Sequence, residues 1–285
     1  MSSKTTRSNV AAAFRTGLLM AFLMGLFVVI GALIGGPRTA LTFLIIGAVM
    51  NLGAYWFSDK IALKMARARP LGEDEAPGLH RMVADLAAKA DLPKPSLHII
   101  EEKQPNAFAT GRGPKNSAVA VTAGIVELLP EDQLRGVIAH ELAHIRNRDI
   151  LIQSVAATIG GAITYLGYML LWFGGDDESP LGLFGALALT LLAPIAASLI
   201  QLAISRQREY SADATGAEIC GKPEALAGAL ENLDRAAQAI PMKVNESAEP
   251  MYIVKPFRSG AMSHLFSTHP PTEERVRRLR ELAAA

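Results

Sequence analysis

Val137-Ile138-Ala139-His140-Glu141-Leu142-Ala143-His144-Ile145 places two histidines four residues apart, with a glutamate directly after the first. On a helix that turns about 100° per residue, His140 and His144 stand one above the other and can reach a single metal ion. Glu141 is the next position round the helix, where it can hold a water activated by that metal and take its proton. The text on either side is charged: Glu131, Asp132 and Arg135 precede the motif, and Arg146, Arg148 and Asp149 follow it. So many charges exclude the bilayer centre, and with it a protease whose metal lies inside the membrane.

The rest of the chain is far more apolar. Of 285 residues, 50% are hydrophobic and only 19% charged, which is not the balance of an ordinary soluble enzyme. The net charge of +1 gives no footprint for nucleic-acid binding. A single cysteine, Cys220, excludes a disulfide and a thiolate-rich zinc site, so a metal must be held by histidine and carboxylate.

Four stretches are long enough to span a bilayer, which takes roughly 20 apolar residues. They run from Thr16 to Ile34, Ala40 to Phe57, Leu151 to Phe173 and Leu181 to Leu202. Lysine and arginine cluster before the first, after the second, before the third and after the fourth, which predicts both termini and every long polar segment on the cytoplasmic side. The expected organisation is an N-terminal transmembrane hairpin over 1–57, a first catalytic segment over 58–149, a second hairpin over 150–202 and a second catalytic segment over 203–285.

The two polar segments must meet on one side of the membrane. In the first, Gly78 to Ala90 has Leu79, Met82, Val83, Leu86 and Ala87 at helical spacing. Strand signals follow at Ser96–Ile100, Asn106–Thr110 and Ser117–Thr122, with Gly111 to Lys115 as a hairpin loop. The edge of such a sheet can take up an extended peptide, and Asn106 with the strand after it is a candidate for binding substrate backbone. Pro130-Glu131-Asp132 starts the helix that carries the histidines, which is expected to run on into the third span.

A catalytic zinc normally takes three protein ligands and keeps one position open. No histidine follows within reach of His144, so the third ligand comes from elsewhere. His144 is seven residues before the third span and Glu209 seven residues after the fourth, each about 10 Å along a helix. The two arms of one hairpin thus bring them to the same height, which makes Glu209 the leading candidate. Asp213 lies one turn further on the same face, placed to accept a hydrogen bond from the free nitrogen of a ligand histidine. His269, in Thr268-His269-Pro270-Pro271, is a candidate donor to the tetrahedral oxyanion, its loop stiffened by two prolines. Lys222 to Ile240 and Thr272 to Ala284 read as amphipathic helices, and Pro241 to Ser263 as a loop.

HELAH at 140–144, Glu209-Tyr210-Ser211-Ala212-Asp213, Asn106-Ala107-Phe108-Ala109-Thr110-Gly111 and Ser267 to Arg275 together resemble the HtpX-type membrane zinc metalloproteases, relatives of the CAAX prenyl proteases. The resemblance covers nearly the whole chain. It implies an α-rich integral membrane protein with four transmembrane helices and a cytoplasmic α+β gluzincin-like catalytic domain. His140, His144 and Glu209 would hold one Zn2+ per chain, and Glu141 would be the catalytic glutamate. The implied work is cleavage of damaged or misassembled membrane proteins at the bacterial inner membrane under stress. The alternative is a narrow-specificity protease of prenylated proteins, which the count of only four spans disfavours.

Overall fold

The computed structural model describes residues 2–151, 153, 155, 206–239 and 270–284. The expected third span beyond Val155, the fourth span, the loop from Pro241 to Ser263 and His269 lie outside these residues. Helix α1 (Ser2–Met65) contains a reversal: Gly36 adopts φ 72° and Pro37 restarts the helix behind it. The Asn51 side-chain amide then donates to the Met20 carbonyl at 3.2 Å, so the two halves lie antiparallel. Gly36–Met65 is 30 residues long with mean hydropathy 1.7, long and apolar enough to cross a membrane. Leu41, Ile45, Val49, Leu52 and Trp56 are exposed along it, an apolar face that no described residue covers.

The end of α1 joins the soluble part. Ala62 and Ala66 pack on Phe108 and Ala120, which belong to the far face of a four-stranded sheet. Its strands are β1 (Arg69–Pro70), β2 (Ser96–Ile100), β3 (Ala107–Gly113) and β4 (Asn116–Thr122), in the order β1-β2-β4-β3. Strands β2 and β4 are parallel, with Leu97 opposite Val119, whereas β3 and β4 form an antiparallel hairpin. The hairpin is tighter than its glycines suggest: pairing continues through a register shift at Gly111/Gly113 to Asn116, and only Pro114 and Lys115 turn the corner.

Opposite α1, the sheet carries α2 (Pro77–Lys89) and the helix with the two histidines, α4 (Glu131–Arg146). Leu79, Met82, Val83, Leu86 and Ala87 of α2 face this core, the stripe its sequence period predicts. Between β4 and α4 lies α3 (Ala123–Leu128), capped by the Thr122 hydroxyl, which accepts from the Ile125 N–H at 3.2 Å. Helix α4 begins behind Pro130, with Glu131 and Asp132 in its first turn, where negative charge suits the helix dipole. It does not run on as expected. The Arg148 N–H bonds to the Ile145 carbonyl, the Asp149 N–H to the His144 carbonyl, and Arg148 takes φ 60°. This pair of bonds is a Schellman stop. Helical conformation resumes only at Ile150. Helices α5 (Arg206–Cys220), α6 (Pro223–Ala239) and α7 (Thr272–Ala284) complete the layer, with Leu226, Leu230, Leu233, Val276 and Leu279 buried.

Candidate active site

Helices α4 and α5 cross at unusually short range because position 216 has no side chain. A Cβ on Gly216 would stand 2.9 Å from both the Cα and the N of His140. That approach brings His140 and His144 on α4 against Glu209 and Asp213 on α5. All four are buried, as is Glu141.

One ligand atom from each of His140, His144 and Glu209 lies within 4.8 Å of the others. The two Nε2 atoms are 3.2 Å apart, His144 Nε2 is 3.5 Å from Glu209 Oε1, and His140 Nε2 is 3.7 Å from Glu209 Oε2. Both outer ring nitrogens face carboxylates: His140 Nδ1 is 3.0 Å from Asp213 Oδ1, and His144 Nδ1 is 3.4 Å from Asp149 Oδ2. A proton on each Nδ1 satisfies these carboxylates and turns two bare Nε2 lone pairs toward one point. Lone pairs so close repel unless a proton or a cation stands between them, and Arg275 Nη2 already lies 3.5 Å from His140 Nε2.

Charge leads to the same conclusion. Among the described residues the buried carboxylates are Glu141, Asp149, Glu209 and Asp213, and the buried arginines are Arg208 and Arg275. With neutral imidazoles the excess is two negative charges, which a divalent cation would cancel. Burial disfavours charge on His144, yet Glu209 and Asp149 outweigh it and hold the ring up to about 9, so the site draws in positive charge, as a proton on this ring or as a metal ion in its place. The donor set of two imidazoles and one carboxylate therefore fits a divalent ion with an open position.

Glu141 accepts a hydrogen bond from the Ala109 backbone of β3. Burial pushes its carboxyl above the usual range, and the neighbouring histidines only partly reverse this. A buried carboxylate of raised basicity, held at the sheet's edge strand, is suited to accept a proton.

Two partners escaped the sequence reading. Asp149 reaches His144 because the Schellman stop folds it back, with Arg208 Nε 3.8 Å from its other oxygen. Arg275 comes from α7 and is 2% exposed. Its Nε and Nη2 donate to Asp213 at 2.8 and 2.7 Å, and Nη2 stands 3.8 Å from Glu209 Oε2. Burial alone would raise the Asp213 carboxyl, but this guanidinium holds it well below the usual carboxylate range. In the sequence Arg275 closes the Ser267-to-Arg275 motif and shares the stripe of Val276 and Leu279, neither of which names Asp213 as its partner. Asn106 is fully buried: its N–H donates to the Thr122 hydroxyl at 2.8 Å and its side-chain oxygen accepts from the Ala107 N–H at 3.0 Å. These bonds fix the start of β3 beside Glu141.

The sequence profile of Peptidase family M48 matches residues 73–283, a span that holds all of these groups. The chain belongs to peptidase family M48. The chain is similar to three proteins that are each named "Protease HtpX homolog". That of Persephonella marina is 55% identical over 94% of this chain and 96% of its own, and that of Thermococcus sibiricus 51% over 94% and 95%. That of Syntrophobacter fumaroxidans is 49% identical over 94% and 99%. This M48 chain is a metalloprotease. Among solved structures, the crystal structure of S. mikatae Ste24p is similar in fold, with a TM-score of 0.50 at 20% identity. The match covers 95% of this M48 chain and 64% of Ste24p.

Proposed function

We propose that this peptidase is an integral-membrane zinc endopeptidase with a cytoplasm-facing site, cutting damaged or misfolded membrane proteins. One observation carries the reading. Two histidines and a glutamate converge on one point amid an excess of buried carboxylates over buried arginines among the described residues, beside a buried glutamate tied to an edge strand.

His140, His144 and Glu209 would hold the ion. When bound, it supplies Lewis acidity: it polarises a scissile carbonyl and makes water acidic enough to lose a proton near neutrality. Glu141 takes that proton on a carboxylate oxygen and returns it to the departing amine. Asp213 and Asp149 keep the Nδ1 protons of His140 and His144 in place, so both rings present Nε2 inward. Arg275 keeps Asp213 ionised and aimed. Strand β3 receives the substrate backbone as an added strand, with Asn106 and Thr122 fixing its start. His269 would donate to the oxyanion from the turn ahead of α7.

The membrane part of the proposal is supported by the apolar face of α1, and by lysines and arginines that flank all four expected spans. The test is cleavage by the detergent-purified full chain of an unfolded protein such as casein, beside a prenylated C-terminal peptide. Chelator-sensitive, zinc-restored cleavage of casein is expected. Cleavage of the prenylated peptide alone would replace broad proteolysis with the narrow alternative, and no cleavage of either would overturn the assignment.

A further inference from the structure

Strand β3 runs from the candidate active site to the foot of α1. Ala109 bonds to Glu141; Arg112, three residues on and about 10 Å along the strand, lays its guanidinium over the Trp56 ring at 4.6 Å from the centroid. Trp56 and Phe57 are 55% and 53% exposed at the polar end of the apolar helix, where aromatic rings mark a membrane–water interface. Lys60 stands 6.0 Å from the Phe57 ring centroid. Arg148 reaches the same hairpin through its positive-φ turn: Nη1 is 4.0 Å from where a Cβ on Gly113 would be.

Most basic side chains of the soluble part are matched. Arg69, Lys89, Lys94, Arg135, Arg146 and Lys222 each face a carboxylate. Arg112 and Arg148 pair with no carboxylate among the described residues, and Arg112 Nε is buried without a hydrogen-bond partner. One unmatched guanidinium stacked on an exposed tryptophan and a second at Gly113 of the same hairpin offer planar donors to a phosphate oxygen at interface depth.

We infer that Arg112, stacked on Trp56, and Arg148 bind the phosphate of an anionic phospholipid headgroup, docking the membrane-facing end of the substrate strand on the bilayer. The inference rests on the membrane-spanning reading of α1. Its consequence is that lipid charge sets the height of the strand whose other end touches Glu141.

The test uses the full chain with Trp172→Phe, which leaves Trp56 as the one fluorophore of its kind, in vesicles of brominated phosphatidylcholine or brominated phosphatidylglycerol. Stronger quenching by the phosphatidylglycerol lipid is expected. A basic residue near a charged surface contributes roughly five-fold, so Arg112→Gln with Arg148→Gln should lower that preference by up to roughly twenty-five-fold. Equal quenching by the two lipids, a preference that survives the double substitution, or its abolition by free inorganic phosphate would each overturn the inference while leaving the membrane reading intact. An unchanged lipid preference with a raised KM for acidic peptides would assign the pair to substrate instead. No quenching by either lipid would overturn the membrane reading itself.

Discussion

Gly216→Ala tests whether the crossing of α4 and α5 sets the metal geometry. The added methyl group would meet His140 backbone at 2.9 Å, and ordinary contact begins at 3.4 Å, so the helices must part by about 0.5 Å. Backbone cannot swing aside as a flexible side chain can. The site's ligands are divided between these helices, His140 and His144 on one and Glu209 on the other. Metal–ligand distances tolerate only about 0.2 Å, so zinc affinity should fall by at least roughly ten-fold. Stability should change less, because overpacking costs about 1–3 kcal/mol while replacing a helical glycine by alanine returns about 1 kcal/mol. The assay is zinc competition against a chromophoric chelator, with thermal unfolding followed in parallel. Gly78→Ala on α2 is the control, because nothing lies within 4 Å of the added methyl. Wild-type zinc affinity in Gly216→Ala would refute the reasoning.

Asp213→Asn and Asp149→Asn should each weaken zinc binding by about 10–100-fold, measured by the same competition; unchanged affinity in both would remove the orienting role of these carboxylates. Arg275→Ala should lose zinc faster in chelator than wild type, and Arg275→Lys should recover part of the difference, as one ammonium can replace one of the two bonds to Asp213. Identical loss rates in all three proteins would leave Arg275 a packing residue only. His269→Ala should keep zinc but lower kcat by about 10²–10³ with KM little changed, the usual cost of one oxyanion donor; loss of zinc in that variant would make His269 a ligand instead.

Periodicity made much of the catalytic part legible. The buried stripe of α2, the limits of β2 and the inward faces of α6 and α7 follow from spacing alone, because each element buries one face against one core. Glu209 and Asp213 were readable as a pair because residues four apart share a helix face, and the structure sets that face of α5 against the two histidines of α4. Asp149 was not, since its position depends on Arg148 taking a left-handed conformation that glycine or asparagine normally signals. The same turn ends α4, which its helical pattern gave no reason to stop. Arg275 lies 62 residues from Asp213 in sequence, among arginines that pair with surface glutamates, so local pattern could not tell the buried one from its neighbours.

In the proposed mechanism His140, His144 and Glu209 hold the metal while Glu141 moves the proton. Zinc content and casein cleavage of the full chain, measured on wild type, Glu141→Gln and Glu209→Ala in one preparation, test it most directly. Glu141→Gln should retain one zinc per chain and cut nothing, and Glu209→Ala should lose both zinc and cleavage. Cleavage by Glu141→Gln, or a full complement of zinc in an active Glu209→Ala, would contradict the account.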